Sequence, residues 1–174
     1  ALLSRLEREA LGIRWADSAK PRALDPPTLD RMRKTGCESL TWGIDAASRR
    51  LNRAMRKGYD MNEASRILQW AAEAGIANSV NLIAGLPGET DEDLDEECDW
   101  LARHVRWLKW VTVMPYQFLP NSPVHRDPAR FGLRAIPGGG FDEIGRFAWA
   151  EKQARIVLST RRLKAVVRQA GLGY

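Results

Sequence analysis

The chain is predicted to be an α/β protein of parallel strands joined by right-handed helical crossovers. Three observations predict this. Short apolar runs alternate with longer amphipathic stretches along all 174 residues. The longer stretches carry helix start and stop signals at their ends. The apolar runs are strand-sized and separated by helix-sized segments, which antiparallel hairpins would not need.

The elements follow in order. "ALLSRLEREALG" reads as a helix and "IRWADSA" as a short strand. "LDPPTLDRMRKTG" is a helix with Asp25 at the N-cap, Pro26 and Pro27 in the first turn and Gly36 just past its end. "ESLTWGID" is the second strand. "AASRRLNRAMRKG" is a helix ending at Gly58, and "DMNEASRILQWAAEAG" is another, with Asp60 and Glu63 spaced as a capping box. "IANSVNLIAGL" is the third strand. Thr90 caps a helix running towards Leu108, acidic in its first turns and basic at its end, as the macrodipole favours. "WVTVMPYQF" is the fourth strand. Residues 120–140 have loop chemistry, and a final helix runs from about Asp142 to Gln169. Four strands are too few to close a barrel; they form an open sheet or an arc of a barrel whose other strands lie elsewhere.

Composition narrows the function classes. The chain is 44% hydrophobic and 28% charged, ordinary for a globular protein, and no run approaches the ~20 apolar residues of a membrane span. The start at Ala1 leads us to expect a piece of a longer protein. The net charge of +5 concentrates in "RLEREALGIRW", "SRRLNRAMRK" and "STRRLKAVVRQ". These read as solvated helix faces, and nucleic acid is not expected as a partner. Cys37 and Cys98 have neither disulfide nor metal spacing, which fits a reducing, cytoplasmic setting. His104 and His125 are expected at the surface.

"NLIAGLPGETDEDLDEE" poses the main chemical question. A glycine turn between strand and helix can cradle phosphate. Here no lysine follows, Pro87 removes an N–H, and a block of carboxylates would repel an anion. Any ligand should be neutral or cationic and flat.

Taken together, "KTGCESLTWGIDAAS", "LNRAMRKGY" and "AAEAGIANSVNLIAGLPGE" resemble the radical S-adenosylmethionine (radical SAM) superfamily, in its branch associated with cobalamin-binding domains. The resemblance covers about residues 13 to 125. It implies a partial TIM-like (β/α)₆ barrel, with these strands as its third to sixth. It implies a barrel part over 1–125 and a loop and helical extension over 126–174. It further implies S-adenosylmethionine (SAM) and a [4Fe–4S] cluster as cofactors, and cobalamin where the parent carries that domain. The cluster's CxxxCxxC loop is absent from this chain. The resemblance implies a wall along the adenosyl group of SAM made by Asp45, Ser48, Ile83, Ala84, Gly85, Glu89 and Phe118. Glu89 matches the family's motif acid and is equally suited to stabilising the turn.

There are departures. The family's G-I-E-S-G-S stands here as Gly43-Ile44-Asp45-Ala46-Ala47-Ser48, Asn81 stands where glycine is frequent, and Pro120-Asn121-Ser122-Pro123 replaces P-G-T-P. The implied function is a radical SAM enzyme, with an unidentified substrate and an electron donor as partners. The isolated chain is expected to be inactive. The alternative is a degenerate, non-catalytic barrel that binds a ligand or partner.

Three thiolates hold such a cluster and this chain has two distant cysteines. Anaerobic reconstitution of the chain alone with iron and sulfide should therefore leave no stoichiometric cluster, as measured by visible absorbance and iron content.

Overall fold

The computed structural model of the chain describes residues 2–117, 119, 121–127, 129 and 141–173, with the backbone alone at 125 and 141–153. Four parallel strands run β1 (Trp15–Ala19), β2 (Cys37–Asp45), β3 (Ala77–Ala84) and β4 (Leu108–Pro115), side by side in that order. The connections are α2 (Pro26–Lys34), then α3 (Arg49–Ala54) with α4 (Met61–Glu73), then α5 (Asp91–His104). α1 (Leu2–Glu9) precedes the sheet; α6 (Pro123–Arg126) and α7 (Phe141–Gln169) follow it.

The helix boundaries have local causes. Asp25 accepts from Thr28 N–H at the start of α2 (2.9 Å), and Gly36 turns left-handed after its end. Ser48, not Ala46, caps α3 by accepting from Leu51 N–H. That helix is shorter than expected because Arg56 adopts φ +52°. Asp60 caps α4, but Glu63 does not complete a capping box; its carboxylate accepts Ala23 N–H instead (2.9 Å). α5 does carry a full box, Thr90 with Asp93. It ends at His104, and a 3₁₀ turn (Val105–Trp107) leads into β4 earlier than the sequence indicated.

Burial alternates along β2 and β3. Leu40, Trp42 and Ile44, then Val80, Leu82 and Ala84, then Leu108, Val111 and Val113 form one core with α2, α4, α5 and the second half of α7. Burying each large aliphatic side chain here contributes roughly 1.5–3 kcal/mol. Val113 belongs to this core: it is in register with Leu82, and paired residues of parallel strands share a face. Inside the core the Trp42 indole donates to Asn78 (2.8 Å), whose amide donates to the Leu68 and Trp107 carbonyls, tying β2, β3, α4 and the 3₁₀ turn together.

The other sheet face carries Thr41 and Gly43, then Ser79, Asn81 and Ile83, then Thr112 and Met114, in lateral register. None of these belongs to that core. Among the described residues the main core and the helices packed on it lie on one face, while only α3 and α6 reach the strand ends of the other. That is the outer wall of a barrel arc, not a doubly wound sheet.

Among the described residues no strand pairs with the outer edge of β1, whereas the β4 edge receives Gly173, whose carbonyl accepts Val111 N–H (3.1 Å). A bare parallel edge recruits other strands. The isolated chain should show concentration-dependent association in light scattering. Ala16→Lys, placing a charge on that edge strand, should reduce it; a monomeric wild-type chain would show the edge to be protected.

Candidate functional site

At the C-terminal end of β2 the backbone makes a tight three-residue turn. Ala46 N–H donates to the Ile44 carbonyl (2.7 Å), and Asp45 between them takes φ +60°. A non-glycine residue there costs on the order of 1–3 kcal/mol, and such positions persist where the surroundings enforce them. The enforcement is visible. The buried Tyr59 hydroxyl donates to the Ile44 carbonyl (2.9 Å), and Lys57 pairs with the Asp45 carboxylate (2.5 Å). Burial pushes the Tyr59 phenol's pKa well up, so it remains a donor.

Ser48 is fully buried. Its hydroxyl donates to Asp93 (2.6 Å) and accepts Leu51 N–H, so its oxygen is occupied within the protein. Asp93 also accepts Arg50 through both oxygens, and both the backbone N–H and the hydroxyl of Thr90. Burial works against its ionisation, but the hydrogen bonds from Arg50, Ser48 and Thr90 outweigh it and hold the carboxyl at about 2.

The glycine turn is held by similar means. Glu89 accepts Gly85 N–H (3.1 Å), Arg155 Nε–H (2.9 Å) and the Ser159 hydroxyl, so its carboxylate is surrounded by protein donors. Gly85 takes φ +76°, and a Cβ there would stand 2.6 Å from Ile156 Cα. The close backbone approach that this glycine permits is to α7. Ile83 and Ala84 fall on opposite faces: Ala84 is buried in the helix-side core, while Ile83 lies on the opposite face and packs against Leu51 and Leu86. Phe118 lies outside the described residues.

Ile83 borders an apolar cleft of about 440 Å³ at the C-terminal ends of β3 and β4, walled also by Leu51, Met55, Leu86, Met114 and Tyr116. The Tyr116 hydroxyl is buried without a hydrogen-bond partner among the described residues, and burial pushes its pKa up to about 12. A cleft this size suits a flat, largely apolar group. Asn81, two residues before Ile83 on the same face, has no side-chain partner among the described residues. Lys57, Asn81 and Tyr116 were not singled out from the sequence as site residues. Lys57 stood inside a quoted motif, and Asn81 was noted only as a departure.

Glu97 was also missed. It is fully buried, accepts Ala47 N–H (3.1 Å) through Oε1 and leaves Oε2 without a partner. Burial, reinforced by the nearby Glu89, pushes its pKa up to about 8. His104 likewise is buried, not on the surface. It stacks on Trp100 at 4.3 Å, and its ring nitrogens face the Trp100 carbonyl (2.6 Å) and the Ser65 hydroxyl (2.7 Å). The His125 side chain lies outside the described residues.

Helices packed mainly on one side, an inner face outside that core and a cleft at the strands' C-terminal ends define an arc of a parallel (β/α) barrel with its site at the mouth. The radical SAM superfamily profile matches residues 1–101, and the chain belongs to that superfamily. It is similar to an uncharacterized methyltransferase of Pyrococcus horikoshii, 26% identical over 113 residues, covering 64% of this chain and 25% of that protein. It is also similar to the tRNA-2-methylthio-N(6)-dimethylallyladenosine synthase of Tropheryma whipplei, 28% identical over 125 residues, 70% of this chain and 25% of that protein. The chain thus spans about a quarter of the length of these curated relatives. Two solved structures share its fold. Coproporphyrinogen III oxidase (HemN) of Escherichia coli superposes with a TM-score of 0.67 at 20% identity, covering 97% of this chain and 37% of that one. The methyltransferase TsrM of Kitasatospora setae, solved with cobalamin and a [4Fe–4S] cluster bound, gives 0.63 at 21% identity, covering 79% of this chain and 29% of that one. Members of the superfamily use SAM and a [4Fe–4S] cluster. No helix among the described residues is long and apolar enough to cross a membrane.

The Glu97 carboxyl gives a pH prediction. A pKa raised from 4.5 to about 8 on folding means that stability is full below pH 4.5 and is lost as pH rises through 8. Glu97→Gln keeps the acceptor for Ala47 and cannot ionise. It should melt like wild type at pH 5 and be more stable at pH 8, by on the order of 3 kcal/mol. An equal shift at both pH values would assign Glu97 as charged in the fold.

Proposed function

We propose that the chain forms part of the SAM-binding wall of a radical SAM enzyme, with the adenosyl group lying across the C-terminal ends of β2, β3 and β4. One observation carries this reading: an apolar cleft at the C-terminal ends of β3 and β4 opens on the sheet face that carries Asn81, whose side chain has no partner among the described residues. Adenine, flat and uncharged, fits against Ile83, Leu86 and Met114. The ribose hydroxyls fit Asn81, a neutral donor and acceptor, and Asp45, held at the mouth by its turn and by Lys57. Ser48 and Glu89 support the wall from behind, since their oxygens already serve internal partners. Ala84 and Gly85 contribute backbone.

The cluster does not fit this chain's own donors. Cys37 is buried, with its thiol pushed up to about 11 by burial, and Cys98 is a half-buried residue of α5. The thiolates of a [4Fe–4S] cluster would come from residues outside this chain. When bound and reduced, such a cluster with SAM supplies a 5′-deoxyadenosyl radical. This chain's residues bind and orient the nucleoside and keep water from it. Methyl or methylthio transfer is the reaction class its curated relatives favour, with cobalamin as an added cofactor in the first case. The reaction site on the inner face and an external electron donor follow from the same reading. So do the division at residue 125 and a cytoplasmic location.

The second reading, a non-catalytic barrel that binds a ligand or partner, is favoured by one specific feature. Asp45 and Ser48, the polar residues of the altered motif, both have internal partners.

Calorimetry with SAM separates the readings. Asp45→Ala should weaken binding by about 1–3 kcal/mol, the value of a charged hydrogen bond, with affinity measured well below the variant's melting temperature because the Lys57 pair is lost too. Unchanged affinity would leave Asp45 as the partner of Lys57 alone and favour the second reading.

A further inference from the structure

A second cleft, of about 560 Å³, opens beside the C-terminal end of β2 where α3 passes into α4. Arg49, Arg53, Arg56 and Lys57 line it, with Asp60 and Glu63 across from them. Both acids are turned onto backbone. Asp60 accepts Asn62 N–H (2.8 Å) at the start of α4, and Glu63 accepts Ala23 N–H (2.9 Å). Two of the cations are also matched: Arg49 with Glu96 at 3.7 Å, and Lys57 with Asp45 at 2.5 Å.

Arg53 and Arg56 are left over. Both are exposed, and neither has a side-chain hydrogen bond or ion pair among the described residues. Arg22 joins them from the β1–α2 connection. Its Nη1 lies 3.3 Å from the point where a Cβ on Gly58 would stand, and it too has no side-chain partner among the described residues. Arg22 does not line the cleft itself but stands beside its Gly58 wall. The N–H groups of Gly58 and Tyr59, in the same wall, have no acceptor among the described residues. Unpaired guanidinium forks beside free backbone N–H groups form the donor set that recognises a phosphate.

We propose that this cleft binds a phosphate group carried by the substrate: a phosphodiester of an RNA strand or the terminal phosphate of a nucleotide. This rests on the reading above that the neighbouring strand ends are the reaction site. Lys57 lines the cleft and pairs with Asp45, so a phosphate held here lies beside the mouth of the sheet. It also changes the meaning of the chain's positive charge. The basic residues of the α3–α4 corner surround a cleft.

The test uses the full chain with two probes, a short fluorescent RNA stem-loop and ATP. Affinity is read by anisotropy across a salt series, with ATP as competitor. The variant is Arg53→Gln with Arg56→Asn, asparagine being tolerant of the left-handed backbone at 56. The control is Arg161→Gln with Arg168→Gln, which removes the same charge from exposed positions of α7. The cleft variant should weaken stem-loop binding about tenfold or more and flatten its salt dependence by about two units of slope. The control should change it less than about twofold, by the same electrostatic reasoning. Effective competition by ATP assigns the terminal phosphate, and its failure assigns the phosphodiester. Binding of neither probe, or equal losses in variant and control, would overturn the proposal. SAM calorimetry on the same proteins keeps the two readings apart. If SAM fails to bind while the cleft variant still behaves as expected, the SAM-wall reading falls and the phosphate site stands.

Discussion

Three carboxylates spaced by four residues hold the mouth of this sheet together. Glu89, Asp93 and Glu97 stack along one side of the turn and helix that follow β3, and all three are buried. Glu89 grips the glycine turn and α7, Asp93 grips Ser48 and Arg50 of the β2–α3 corner, and Glu97 grips Ala47 N–H in that same corner. Ser48 and Gly85, two candidate site residues that are not on a strand, are fastened to this row. Buried carboxylates are costly unless they are matched, and they are matched unequally. Asp93 has enough donors to stay ionised, whereas Glu97 has only backbone donors and takes up a proton more readily.

This arrangement explains how a site on loops can be well placed. Loops at the ends of parallel strands are free to vary, and precision has to come from what stands behind them. Here the β2 loop and the β3 turn meet directly, the Arg50 side chain donating to the Gly88 carbonyl and Ala46 packing with Leu86. Both are fastened to α5, which lies against the sheet through Leu94 and Leu101. Asp45 can then be held at φ +60°, with Tyr59 and Lys57 supplying the remaining constraint. α7 has a part in the same assembly, because Arg155 and Ser159 reach Glu89 while Ile156 sits over Gly85.

The two faces of the sheet divide the work. The helix side is largely apolar and closed, with a few buried polar groups such as the Trp42–Asn78 pair, Glu97 and His104. The inner side carries small and polar residues with unused hydrogen-bonding capacity, and it grades into an apolar cleft at the strand ends. Such a gradient suits a nucleoside, whose base is flat and apolar and whose sugar is polar. Beside it, the arginine-lined corner adds a place for negative charge. A neutral site and a cationic site are thus neighbours, joined through Lys57.

The order of strands and helices, their parallel sense and most caps were determined by the sequence itself, because periodicity and capping are local properties. Asp25, Asp60 and Thr90 show this: each caps the helix that its own position announces. The motif succession in 37–89 likewise carried the family, since order and spacing survive even where single polar residues have changed. What only the tertiary structure decided is which polar groups are already occupied. Glu89, Asp93 and Glu97 sit in a run of acids that also contains Asp91, Glu92, Asp95 and Glu96, and the macrodipole accounts equally well for all of them. Their spacing of four does coincide with the buried stripe of Leu94 and Leu101, a signal that was present but diluted by the acids around it. Ser48 looked available for a ligand and is turned inward, and His104 looked exposed and is stacked in the core. Lys57 gained a role only when the α3–α4 turn brought it to Asp45. Contacts between residues 12 to 70 positions apart depend on how elements pack, and no local pattern records them.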